Sequence, residues 1–193
     1  MRLFVAVYPP VEAISHLGAQ VARLRVGAAA AAGARVRLVD PGDLHLTLAF
    51  LDDVEAARLV DVESALGLAA DQFRDGRDAP PRLCLGGGGV FGDGRHTVLW
   101  VDARCDVEAL HGLARLVRER LRHAGIAYDD KPFRPHLTIA RPGDRVEAAA
   151  VDADRTALND YAGPRWPATE LLLVRSHQGP GPRYERVAAW ALG

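Results

Sequence analysis

Polar and apolar positions follow two rhythms along this chain, and the changes of rhythm mark its elements. Residues 2–8 are apolar after Arg2 and run into Pro9-Pro10, which predicts a first strand. Over residues 11–26 the apolar side chains fall at helical spacing, with Val11, Ile14, Leu17, Val21 and Leu24 on one face. Five alanines between Gly27 and Gly33 either prolong that helix or form a loop. A short strand over 36–39 and a turn at Asp40-Pro41-Gly42-Asp43 lead into alternating residues 44–51. Asp52-Asp53 then opens a helix over 54–73, an acidic start that the helix dipole favours. Residues 82–85 and 97–103 predict a hairpin around a glycine-rich centre, and a third helix over 107–124 ends at Gly125. A second alternating strand occupies 136–141, helical or irregular residues 146–161 follow, and strands over 168–177 and 184–192 close the chain. Helices interleave irregularly with hairpins, which predicts an α+β fold with antiparallel sheets.

The two alternating strands are copies of each other. His45-Leu46-Thr47-Leu48-Ala49-Phe50 recurs as His136-Leu137-Thr138-Ile139-Ala140-Arg141, about half the chain away. Side chains of a strand point to opposite faces with period two, so each His and Thr share one face while the leucines and Ile139 point at a core. A lone His-x-Thr is more often structural than catalytic. Two copies in phase are not what drift of core strands produces, and they predict two related lobes facing each other over a cleft. Phe50 and Arg141 stand five residues after each histidine. Strict alternation places both on the face away from the cleft unless the strand bends or ends there.

Composition narrows the class without changing the picture. The hydrophobic and charged fractions, 49% and 25%, are those of a soluble globular protein. No apolar run approaches the roughly 20 residues of a membrane helix. The opening residues are too short for a signal peptide and lack a small-residue cleavage site, so a cytoplasmic protein is expected. Cys84 and Cys105 lack metal-ligand spacing and are expected to be reduced core residues. A net charge of −1 excludes a protein-wide basic field for long duplex nucleic acid. Lys131 is the single lysine among 24 basic residues. Codon bias accounts for that, yet arginine clustered near one site would suit phosphate.

Two imidazoles across a cleft can ligate a metal, form a nucleophilic dyad or act as acid and base. A metal normally wants a third or fourth ligand, and neither motif supplies one on its own face. No nucleophile elbow of the Gly-x-Ser-x-Gly kind is present. Gly87 to Gly92 formally fits a dinucleotide-binding loop, but a strand rather than a helix follows it, so it reads as a bulge or turn. Acid–base catalysis fits best, because imidazole titrates near pH 6.5 and can be neutral on one strand and charged on the other. Thr47 and Thr138 would donate hydrogen bonds to an anion between the histidines, and a phosphodiester suits two symmetric His/Thr pairs.

These residues resemble the two-histidine phosphoesterases, and more narrowly the RNA 2',3'-cyclic phosphodiesterase (2'-5' RNA ligase-like) family. The resemblance spans nearly the whole chain: Arg2 to Val7, Leu44 to Leu51, Val98 to Val101, Phe133 to Arg141, and the Ser176 to Tyr184 segment with its Gly-Pro. It implies a single bilobal domain over 1–193, two antiparallel-sheet lobes with outer helices around a central cleft, one motif strand (45–48 and 136–139) in each. It implies metal- and cofactor-independent hydrolysis of 2',3'-cyclic phosphate ends to 2'-phosphate. His45 would be the proton donor to O3' and His136 the proton acceptor from water, although the near-equivalent motifs do not by themselves orient the pair. Phe50 to stack on a base, Arg141 to hold phosphate or base, and Arg134, Ser176 and Tyr184 complete the candidates for substrate contact. Expected partners are RNA ends, tRNA fragments among them, with no membrane and a monomeric state. Weak reversal to a 2'-5' linkage is conceivable. The competing readings are an RNA-end-binding module with little catalysis, and the same chemistry on a small cyclic nucleotide or an ADP-ribose cyclic phosphate.

Overall fold

The computed structural model describes residues 1–177 and 183–193. The apolar opening becomes β1 (Leu3–Val7), buried at every position. Leu3, Val5 and Val7 enter the main core, whereas Phe4 and Ala6 pack on the opposite face with Leu172 and Val174. A strand covered on both faces can be continuously apolar, which is why this segment does not alternate.

Eight further strands join β1 in one antiparallel sheet: β2 (Arg37–Leu38), β3 (Leu46–Leu51), β4 (Arg82–Phe91), β5 (Val98–Cys105), β6 (His136–Arg141), β7 (Trp166–Pro167), β8 (Glu170–Ser176) and β9 (Tyr184–Ala191). Their order is β7-β4-β5-β6-β3-β1-β8-β9, with β2 added on β6. The two motif strands therefore sit at the centre. They touch through a single register pair, Leu46 with Leu137, so the two lobes are one sheet joined at a narrow seam. The Gly/Pro-rich connection expected between the last two strands falls at 178–182, outside the described residues.

Helices cover the face to which Leu46, Leu48, Leu137 and Ile139 point. They are α1 (Val11–Val21), α2 (Arg25–Ala31), α3 (Leu59–Asp75), α4 (Val107–His123) and α5 (Ala148–Asn159). Their apolar stripes, Leu17, Leu66, Leu113 and Leu158 among them, share one core with the strands. Among the described residues no helix is long and apolar enough to cross a membrane.

The first helix is interrupted where continuous helical spacing predicted it would run on. Leu24 is extended, and the Asp154 carboxylate accepts from the backbone N–H of Arg25 (2.7 Å) and Val26 (2.9 Å). Asp154 is the one buried charged side chain among the described residues, and those donors compensate its desolvation. The alanine run is helical through Ala31.

The glycine stretch is not the hairpin's turn. β4 runs through it to Phe91, with a bulge between Leu85 and Gly88. A Cβ at Gly88 would overlap the Arg155 carbonyl of α5, and one at Gly89 would overlap the Trp100 ring. Glycine is required there by crowding on both faces of the strand.

The cysteines also depart from expectation. Cys84 and Cys105 are joined by a disulfide across β4 and β5, with their Cα atoms 5.7 Å apart. Their separation of 21 residues gave no hint of this, because only the pairing of the two strands brings them together.

Candidate active site

Each motif strand carries the same irregularity at the same place. Along β3, Ala49 pairs with Val5 but Thr47 pairs with Ala6, so Leu48 is an extra residue. Along β6, Ala140 pairs with Leu99 but Thr138 pairs with Trp100, so Ile139 is extra. A bulge of one residue resets the alternation, and whatever follows it changes face. Leu48 and Ala49 are consecutively buried, and Phe50 emerges 50% exposed on the side of Thr47. Arg141 emerges in the same way beside Thr138. Strict alternation thus misplaces both residues, and the duplicated bulge returns them to the cleft. The carbonyls left out of the ladder are each satisfied: Leu48 accepts from Arg118 Nε (3.1 Å) and Ile139 from the Val39 N–H (3.0 Å).

Both histidines are held identically. His45 Nδ1 lies 2.6 Å from the Asp43 carbonyl and His136 Nδ1 lies 2.8 Å from the Arg134 carbonyl, two residues upstream in each case. A carbonyl only accepts, so each Nδ1 carries the hydrogen and each Nε2 is the acceptor of the neutral ring. The sequence places these carbonyls reliably, because a turn ending at Asp43 and the Pro135 segment lead the chain directly into the motif strands.

The surroundings differ. His45 stacks on Phe4 (4.6 Å between centroids) and Tyr8 (5.3 Å), with the edge of Tyr184 at 5.4 Å. Burial pushes its pKa down to about 4, and the charges of His136 and Arg183 act in the same direction. His136 meets the edges of Phe91 (4.9 Å) and Trp100 (5.7 Å). Burial lowers its pKa as well, Arg134 adds to the effect, and Asp102, its direct register partner on β5, opposes it.

The two histidines, Thr47 and Thr138 line one cleft of about 680 Å³. Phe50, Arg141, Ser176 and Tyr184 line it too, together with Arg2, Arg37 and Arg183. Arg134 does not. Its guanidinium stacks on Trp100 at 4.2 Å and faces an adjoining apolar pocket of about 460 Å³. Its backbone carbonyl serves His136, so the residue contributes more through its main chain than through its charge. His177 is bonded to Glu185 at 2.8 Å and is not part of the cleft lining. Sequence reasoning missed Tyr8, Asp102, Arg37 and Arg183. Only the pairing of β1, β5 and β2 with the motif strands identifies the first three, and no motif marks them. Among the described residues no three His, Cys, Asp or Glu side chains converge as metal ligands.

Known proteins group with this chain along its length. The pattern of the 2'-5' RNA ligase superfamily matches residues 5–180. An RNA 2',3'-cyclic phosphodiesterase of Thermus thermophilus is 31% identical, covering 100% of this chain and 90% of its own. The enzyme of that name from Escherichia coli is 32% identical over 81% of this chain and 80% of its own. Another from Geobacillus stearothermophilus is 31% identical over 78% of this chain, which spans about half (46%) of that relative's length. Among solved structures, TT0787 of Thermus thermophilus superposes with a TM-score of 0.67 at 32% identity, covering 100% of this chain and 98% of its own. Escherichia coli LigT complexed with 3'-AMP superposes with a TM-score of 0.66 at 29% identity, over 99% and 97%. With a match that runs from residue 5 to residue 180 and takes in both His/Thr strands, the chain belongs to the 2'-5' RNA ligase superfamily.

Proposed function

We propose that this chain hydrolyses RNA 2',3'-cyclic phosphate ends to 2'-phosphates by two-histidine acid–base catalysis without a metal. The observation that carries the reading is the pair of identically tethered imidazoles lining one cleft, each with a threonine two residues on. Relatives that match most of this chain are named RNA 2',3'-cyclic phosphodiesterase.

His136 Nε2 takes a proton from water as its oxygen bonds to phosphorus. The P–O3' bond breaks in line, and His45 Nε2–H protonates O3'. The histidines end with their protonation reversed and exchange protons with solvent to reset. Among the described residues neither threonine hydroxyl is hydrogen-bonded within the chain, which frees both to donate to the non-bridging oxygens. Burial holds both imidazoles below their ordinary range, and an anionic phosphodiester between them works against that by favouring the imidazolium.

One observation favours the opposite division of labour. His45 is the more depressed histidine, which suits a neutral base, whereas Asp102 beside His136 supports a charged acid. A nitrophenyl phosphodiester, whose leaving group needs no proton, separates the two. The variant lacking the acid keeps its rate on that ester, and the variant lacking the base loses it.

The central test is incubation of the purified protein, with chelator, with a short RNA ending in a 2',3'-cyclic phosphate. A 2'-phosphate product absent from His45→Ala and His136→Ala supports the proposal. Tight binding of the end without turnover would replace it with a binding module. The same proposal includes a cytoplasmic monomer acting on RNA fragments, tRNA pieces among them. The disulfide is the feature that pulls against a reducing compartment.

A further inference from the structure

One pair of charges in the cleft is placed where charges of one sign are unfavourable. β2 is two residues long and its sheet partner is β6, with Arg37 directly opposite Arg141. Residues opposite each other in an antiparallel pair project from the same face, their Cβ atoms about 5 Å apart, and like charges there destabilise. Both side chains are exposed, and both line the cleft that holds the histidines. Among the described residues neither guanidinium makes a hydrogen bond or an ion pair. Arg2, on the same cleft, is paired with Asp52 at 3.2 Å. Asp40 and Asp129 also line the cleft without pairing to either arginine. The arrangement has no counterpart in the first half, where the position equivalent to Arg141 is Phe50.

We infer that Arg37 and Arg141 form a subsite for a second phosphate, one nucleotide removed from the phosphate held by the histidines. Arg141 stands three residues beyond Thr138, roughly 10 Å along a strand at about 3.3 Å per residue, and the bulge shortens that span. Two long side chains reaching back from there cover the far side of a terminal nucleotide. Two planar forks on one face are suited to the oxygens of one phosphate, whose charge turns their mutual repulsion into shared attraction. The second phosphate is either the phosphodiester preceding the terminal nucleotide or a 5'-phosphate on a mononucleotide. The inference rests on the proposed function for the position of the first phosphate, and it adds that the protein distinguishes substrates carrying two phosphates from those carrying one.

The experiment compares kcat/KM on a nucleoside 2',3'-cyclic phosphate, its 5'-phosphorylated form, and a dinucleotide ending in the cyclic phosphate. The wild-type chain is expected to favour the two-phosphate substrates by about tenfold or more, as charge-assisted bonds to one phosphate allow, with the preference shrinking in high salt. In Arg37→Gln and Arg141→Gln the ratio falls toward one. A dinucleotide preferred over the 5'-phosphorylated mononucleotide makes the occupant the phosphodiester, and the reverse makes it a terminal phosphate. Equal losses on every substrate, or an unchanged ratio, would overturn the inference. Binding of a nucleoside 3',5'-bisphosphate against the 3'-monophosphate gives the same ratio without turnover. A protein that cleaves no cyclic phosphate but keeps this affinity ratio therefore loses the proposed reaction and retains the subsite. Removing one of the facing charges should also leave the melting temperature of Arg37→Gln unchanged or higher; a fall would assign the residue to structure instead.

Discussion

The surroundings of His45 and His136 share a backbone and differ in almost every side chain. Both imidazoles donate to the carbonyl two residues upstream, both are followed by a threonine, and both strands bulge at the next residue. On the neighbouring strand the halves part. Val7 pairs with Leu46, which brings Tyr8 alongside His45, whereas Asp102 pairs with His136. His45 is enclosed by three aromatic rings, while His136 meets two aromatic edges and has the Asp102 carboxylate as its register partner. Main-chain geometry sets which ring nitrogen faces the cleft, and the side chains of the adjacent strand set how readily it holds a proton. Duplicated strands can therefore carry an acid and a base without changing their own sequence.

The largest effect should ignore this asymmetry. His45→Ala and His136→Ala are each expected to lower kcat on the cyclic phosphate by about 10³ or more, with unchanged far-ultraviolet circular dichroism. A variant that keeps wild-type turnover would break the equivalence of the halves. The next effect belongs to the second half alone. The disulfide closes a loop between β4 and β5 across a separation of 21 residues, worth about 3 kcal/mol in the chain-entropy view, so reductant should lower the melting temperature measurably.

The first half should dominate the acid response. His45 has a folded pKa of about 4, below the ordinary value of about 6.5, so the unfolded chain takes up that proton first. Its contribution to stability is full above about pH 6.5 and is lost as pH falls toward about 4, with an upper bound of about 3 kcal/mol. His45→Gln should flatten denaturation midpoints across that window, and an unchanged slope would mean that the aromatic box does not exclude the charge. The smallest effect sharpens the contrast. Asp102→Asn removes a charge that raises the His136 pKa, so the His136 resonances should titrate at lower pH than in the wild type while those of His45 stay in place.

The two His/Thr pairs were readable from the chain alone because two physical rules coincide there. Period-two alternation puts His and Thr on one face, and its recurrence half the chain later implies a matching partner strand. The same rule failed at Phe50 and Arg141, since a bulge is a property of a strand together with its neighbour. The glycine stretch, which the sequence leaves as a bulge or a turn, is a bulge within β4, and its need for glycine was hidden for a similar reason. Trp100 and the Arg155 carbonyl, which crowd Gly89 and Gly88, come from other elements. Asp154, which breaks the first helix, arrives from 129 residues away, and the cysteines meet only once β4 and β5 are paired.

Local pattern by itself therefore determined most of the element types, the two His/Thr strands and the chemistry to be expected of them, because these follow from spacing within a few residues. The tertiary structure decided which residues share the cleft face, how each imidazole is tethered and charged, and that two arginines stand opposite each other at its edge. Those depend on strand register and burial, which arise from contacts between segments distant in sequence.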